Sequence, residues 1–181
     1  MTAAADTPAP ISRIYDLADL SEAGYEVRIV PNEADRARLA QWVEVEAIDK
    51  FEGVVELRRQ GRDRFLYEAQ LKADIVQSCV VTLEPVHSHI SHSFHRVLHL
   101  VPGAHRFADK GGAVTIDAGD DDAPEEIARS RYDLAGPLLE EFVLAIDPYP
   151  RAPGVAFEGP AAEPDKPESP FAVLKQLKGQ G

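Results

Sequence analysis

The stretch FEGVVELRRQGRDRFLYEAQLKADIV, residues 51–76, sets the fold. Phe51, Gly53, Val55 and Leu57 fall at alternate positions, as do Phe65, Tyr67, Ala69, Leu71, Ala73 and Ile75. Glu68, Gln70, Lys72 and Asp74 fill the gaps in the second run. A period of two sends successive side chains to opposite faces of a strand. Between the runs, Gln60-Gly61-Arg62-Asp63 is a turn. The pattern predicts an antiparallel hairpin, oily on one face and wet on the other.

Downstream, the second strand runs on to Cys79 and breaks near Leu83-Glu84-Pro85, because proline cannot donate to a ladder. The next segment, VHSHISHSFHRVLHLV (86–101), holds five of the six histidines. Read as a strand, it puts His87, His89, His95 and His99 on its odd face and most of the large apolar groups on its even face. A helix would align His92, His95 and His99 instead. Pro85 as a corner, and a hairpin in need of a third strand, favour the strand. Pro102, Gly103, Gly111 and Gly112 then make a loop, Ala113–Ile116 a short strand, and Asp117–Glu126 an acidic loop without the order of a calcium-binding loop.

Upstream, Tyr25, Val27 and Ile29 alternate with charged residues as a short strand. Asn32 is the N-cap of a helix that buries Leu39, Trp42 and Val43, with Asp35 near the capping-box position. Asp133 caps a second helix over 134–146, whose stripe is Leu134, Leu138, Phe142 and Ala145, flanked by Leu139, Val143 and Ile146. Pro137 sits in its first turn, where a missing N–H costs little. Seven prolines between Pro148 and Pro170 exclude a regular helix there. The terminal SPFAVLKQLK places Phe171, Leu174 and Leu177 on one side, with Lys175 and Lys178 outside. The expected organisation is a loose segment over 1–20, one α+β domain over 21–147, and a Pro-rich arm over 148–181 ending in an apolar hook. The sheet is expected to be antiparallel and curved or barrel-like, with two main helices packed on it.

The charge balance, 19 basic against 31 acidic residues, gives a net of −12 that repels phosphate backbones. Broad nucleic-acid binding, to DNA above all, is therefore excluded. No signal sequence begins the chain and no run spans a membrane, which points to a cytoplasmic protein. A single cysteine, Cys79, excludes a disulfide within the chain and lacks a local base to activate it. Histidines spread along one strand do not converge on the about four ligands that zinc requires. No motif asks for a cofactor, and none supplies a catalytic constellation. One basic spot stands out: Arg58, Arg59, Arg62 and Arg64 surround the hairpin turn and suit phosphate or an acidic protein face.

Three ordered blocks resemble the YceD-like family, also called large ribosomal RNA subunit accumulation protein. They are LKADIVQSCVVTLEPV, YDLAGPLLEEFVLAIDPYPRAP and SPFAVLKQLK, with EADRARLAQW fitting the family's upstream part. The likeness runs from Tyr25 to Lys178. It implies a bacterial, cytoplasmic role in ribosome biogenesis. Many members carry Cys-x-x-Cys before Leu-Glu-Pro; here the positions read Cys79 and Thr82, so no metal or redox role carries over. The expected activity is noncatalytic support of large-subunit ribosomal RNA through contacts. The expected partner is a ribosomal protein or assembly factor, with ribosomal RNA touched only locally. Candidate surfaces are the corner Cys79, Thr82, Leu83, Glu84 and Pro85, the arginine tip, and the hook at Phe171, Leu174 and Lys175. The alternative is a metal-binding or histidine pH-switched module built on residues 87–99.

Overall fold

The computed structural model describes residues 9–101 and 124–155. The hairpin read from the sequence is its centre. β3 (Ala47–Arg59) pairs antiparallel with β4 (Arg64–Ser78), from Ala47↔Val76 to Arg59↔Phe65, with one register shift between Ile48 and Lys50. At the turn, the Gln60 N–H donates to the Arg64 carbonyl, and Gly61 takes φ +140, open to glycine alone. Every apolar position assigned to the inner face from Phe65 to Ile75 is buried.

The histidine-rich segment is a strand, β5 (Pro85–Leu100), antiparallel to β4 from Ser78↔Pro85 to Arg64↔His99. Ile90 and Leu98 are buried on its even face, with Phe94 and Leu100 packed beside them. β2 (Tyr25–Ile29) flanks β3. On the far side β6 (Glu125–Ile127) runs parallel to β5 at Leu98–Leu100. The sheet order is β2-β3-β4-β5-β6, mostly antiparallel. Among the described residues its end strands β2 and β6 do not pair, so the sheet is not a closed barrel. Glu125 and Glu126, expected within an acidic loop, lie in β6 instead. The expected strand at 113–116 lies outside the described residues.

Helix α1 (Glu33–Trp42) starts as expected: Asn32 Oδ1 accepts the Asp35 N–H at 2.9 Å. Its end gave no glycine signal. Glu44 stands at φ +59, and the Val45 and Glu44 N–H groups reach back to the carbonyls of Ala40 and Gln41. That is the Schellman arrangement with glutamate in the glycine position.

Helix α2 (Ala135–Ala145) lies on the inner face. Phe142 meets Phe51 edge-on with centroids 5.2 Å apart. Gly53 lets Leu138 close on β3: a Cβ there would stand 2.5 Å from Leu138 Cδ1. The Tyr67 hydroxyl donates to the Leu134 carbonyl at 2.8 Å in the core, where burial drives its pKa far up. The expected helix stripe is rotated. Leu134, Ala135, Leu138, Leu139 and Phe142 are buried, while Val143, Leu144 and Ala145 face out. Leu134 is the N-cap residue, without a side-chain bond. Asp133 caps from one position earlier, its Oδ1 accepting both the Ala135 N–H at 3.0 Å and the Arg13 N–H at 2.7 Å.

That second bond belongs to a small sheet the sequence did not announce. β1 (Ile14–Asp16) pairs antiparallel with β7 (Arg131–Asp133), and a 3-10 turn over Leu17–Asp19 follows β1. Leu17 and Leu20 are buried, so the second half of the segment expected to be loose is part of the core.

Candidate functional site

The two ends of β4 carry the residues singled out in the sequence. At its C-terminal end the chain turns through Cys79–Glu84. The Leu83 N–H reaches the Cys79 carbonyl at 2.9 Å, and the Cys79 N–H reaches the Glu84 carbonyl at 2.8 Å. Pro85, unable to donate, opens β5 beyond it. Closing so tight a turn puts Leu83 at φ +63, a conformation that costs an ordinary side chain about 1–2 kcal/mol. Its side chain is 76% exposed.

Cys79 Sγ is fully enclosed. It accepts the N–H groups of Thr82 at 3.5 Å and Ala152 at 3.4 Å. The Thr82 hydroxyl, then the Ala152, Thr82 and Val81 amides, lower the thiol pKa to about 6 against the opposing effect of burial. The Thr82 hydroxyl also lies 3.2 Å from Glu84 Oε2 and accepts the Glu84 N–H at 3.4 Å. Such a sulfur holds a turn together.

The chain after α2 is stitched to this turn. Gln77 Nε2 donates to the Asp147 carbonyl at 2.9 Å, and the Val80 N–H to the Pro150 carbonyl at 2.9 Å. With the Ala152–Cys79 contact, these bonds bind residues 147–152 along the corner. Seven large apolar side chains are exposed among the described residues. Of these, Val80 and Leu83 lie on the turn, Tyr149 on the stitched segment, and Val143 and Leu144 near the end of α2 that leads into it. Apolar groups left in water on stretches of chain joined in this way make this corner the candidate contact surface. Sequence periodicity assigned Val143 to the flank of a buried stripe and passed over Leu144 and Tyr149. The signal available was the apolar run FVLAI, wider than one helix face needs.

At the other end of β4 the arginine tip is largely committed to the fold. Arg59 Nη2 donates to the Leu17 and Leu20 carbonyls at 3.3 and 3.2 Å, and its guanidinium lies 5.1 Å from the Phe65 ring centroid. Arg58 pairs with Glu56 at 2.8 Å. Arg62 and Arg64 are exposed.

The histidines are spread along β5 rather than converged. His89 Nδ1 lies 2.6 Å from Asp74, whose carboxyl this bond and Lys50 hold below its usual range. His92 faces Glu141 at 3.3 Å and His99 faces Asp63 at 3.6 Å. Among the described residues, no three His, Cys, Asp or Glu side chains are placed to hold a metal ion. On the same strand Arg96 joins Glu140 at 2.7 Å, Glu141 at 3.1 Å and Glu125 at 3.6 Å, which ties β5 and β6 to α2. Burial works against its charge, but these carboxylates hold it charged and raise its pKa. Phe171, Leu174 and Lys175 lie outside the described residues.

One protein family matches the chain, over residues 67–178, and its description is large ribosomal RNA subunit accumulation protein YceD. The chain belongs to the YceD family. The match takes in β4 from Tyr67 on, the Cys79 corner, β5, α2 and the stitched 147–152 segment. The likeness read further upstream, from Tyr25 through EADRARLAQW, falls outside it. No curated protein and no solved structure matches the chain. No helix among the described residues is long and apolar enough to cross a membrane.

Proposed function

We propose that this YceD-family chain is a noncatalytic cytoplasmic factor that supports accumulation of the large-subunit ribosomal RNA by docking on another macromolecule. The observation that carries the reading is the exposed apolar corner: Val80 and Leu83 on the turn, Tyr149 on the segment stitched to it through Cys79, Val80 and Gln77, and Val143 and Leu144 at the end of α2 leading into that segment. It lies wholly within the stretch that matches the family. The partner is a ribosomal protein or an assembly factor. Ribosomal RNA is touched only by the arginine tip, with Arg62 and Arg64 foremost, since Arg59 is held by the Leu17 and Leu20 carbonyls and Arg58 pairs with Glu56 at the surface.

The test is made in cells lacking the native chain. Leu83→Asp combined with Leu144→Asp should lower large-subunit relative to small-subunit ribosomal RNA, while the protein stays folded and abundant. Cys79→Ser should restore normal RNA, as a noncatalytic role requires. A charged corner that supports normal RNA levels, or a Cys79→Ser chain that folds but fails, sinks the reading.

A second reading, a histidine pH-switched contact, draws on the carboxylates facing His89, His92 and His99. Replacing His89 and His92 with glutamine and finding RNA levels unchanged across growth pH would remove it.

A further inference from the structure

We propose that the Cys79 corner accepts an amphipathic polypeptide segment whose apolar face is edged by lysine or arginine. This rests on the reading of the corner as the contact surface, and it names the chemistry of the occupant. The centre of the surface is apolar, with Leu83, Leu144 and Tyr149 each more than 70% exposed. Its rim is acidic. Glu46 bonds the Ser78 hydroxyl beside the turn, Glu84 stands on Thr82, and Asp147 caps the Tyr149 N–H at 2.8 Å. These bonds hold three carboxylates on the turn, at the strand end beside it and on the stitched segment. None of the three forms an ion pair among the described residues, and Arg151 is the one basic side chain in the stitched segment.

Apolar burial supplies the affinity of such a contact, and the rim sets orientation and association rate. Exposed ion pairs add little individually. The same rim repels a phosphate backbone, so a basic protein segment fits where RNA does not.

The experiment uses the full chain and two synthetic helical peptides with one leucine pattern, edged by lysine in one and glutamate in the other, beside a uridine oligonucleotide. The lysine peptide should bind about tenfold tighter than the glutamate peptide at low salt, a difference of about 1.4 kcal/mol, and the gap should shrink as salt rises. Neutralising the rim with Glu46→Gln, Glu84→Gln and Asp147→Asn should close the gap. Neutralising Glu26, Glu56 and Glu68 on the outer sheet face should leave it open. Leu83→Ser with Leu144→Ser should weaken the lysine peptide's binding.

Equal binding of the two peptides overturns the proposal, as does preference for the oligonucleotide, or a gap that follows the outer-face glutamates. The cellular assay separates the two failures. If the serine pair lowers large-subunit RNA while the peptides bind alike, the partner chemistry alone is wrong. If RNA stays normal, the corner is not the contact surface.

Discussion

The two ends of β4 invert what their compositions suggest. The Arg64 end is crowded with arginines, yet Arg59 is consumed by the carbonyls of Leu17 and Leu20 and Arg58 by Glu56. The Ser78 end is rich in apolar residues, yet it leaves Val80 and Leu83 in water, with Tyr149 exposed on the segment stitched to it. Charge at the first end is drawn into the fold at Arg59, whereas apolar surface at the second stays exposed. The lesson concerns supply: a side chain is available to a partner only after the main chain's own donors and acceptors have been satisfied.

That contrast can be broken at several points. The largest effect is expected where the corner is anchored. Phe142→Ala removes the ring that meets Phe51 and should cost about 3–5 kcal/mol, read from the denaturant midpoint. A loss below 1 kcal/mol would mean that α2 does not hold the corner. Arg59→Met should cost about 1–3 kcal/mol, because two carbonyls lose a charged donor. Arg62→Ala and Arg64→Ala should stay within about 0.5 kcal/mol. Equal costs for all three would return the tip to the status of a free basic patch.

Leu83→Gly should sharpen the comparison by moving stability and function in opposite directions. Relief of the left-handed backbone should raise stability by about 0.5–1 kcal/mol, while ribosomal RNA accumulation falls.

The smallest effect is electrostatic. Cys79 titrates lower in the folded chain, at about 6, than an ordinary thiol at about 8.5. Its folded-state pKa is depressed, so the stability it lends is full above the unfolded value and is lost as pH falls through about 6. Thr82→Val removes one donor among several. It should move the thiolate absorbance titration up part of the way and flatten the midpoint's rise between those two pH values. An unchanged titration would take the hydroxyl out of the account.

Much of the frame was legible because it rests on periodicity. Alternation from Phe51 to Ile75 marked the hairpin and its buried face, and the Pro85 corner with the hairpin's need of a third strand decided β5. Asn32 marked the start of α1 through its own side chain. What stayed hidden depends on meetings far apart in sequence, or on residues in unlikely conformations. Nothing local joins Ile14–Asp16 to Arg131–Asp133. Glu44 and Leu83 hold positive φ without the glycine that would advertise it. The site divides the same way: the Cys79–Pro85 turn was found from Pro85, whereas Tyr149 became visible once bonds to Gln77 and Val80 brought its segment alongside, and Leu144 once α2 was seen to turn it outward.

The β1–β7 pairing also bears on how the protein is born. The Arg13 amide waits for a carboxylate 120 residues further along the chain. During synthesis the first strand therefore leaves the ribosome long before its mate exists, and Leu17 and Leu20 travel uncovered until that mate emerges. The hairpin of β3 and β4 can form early from neighbouring sequence, while the N-terminal clasp is a long-range step of the kind that slows folding. A stalled or truncated chain ending before Asp133 would carry a built sheet with an unfastened front, and would be the species most in need of a chaperone.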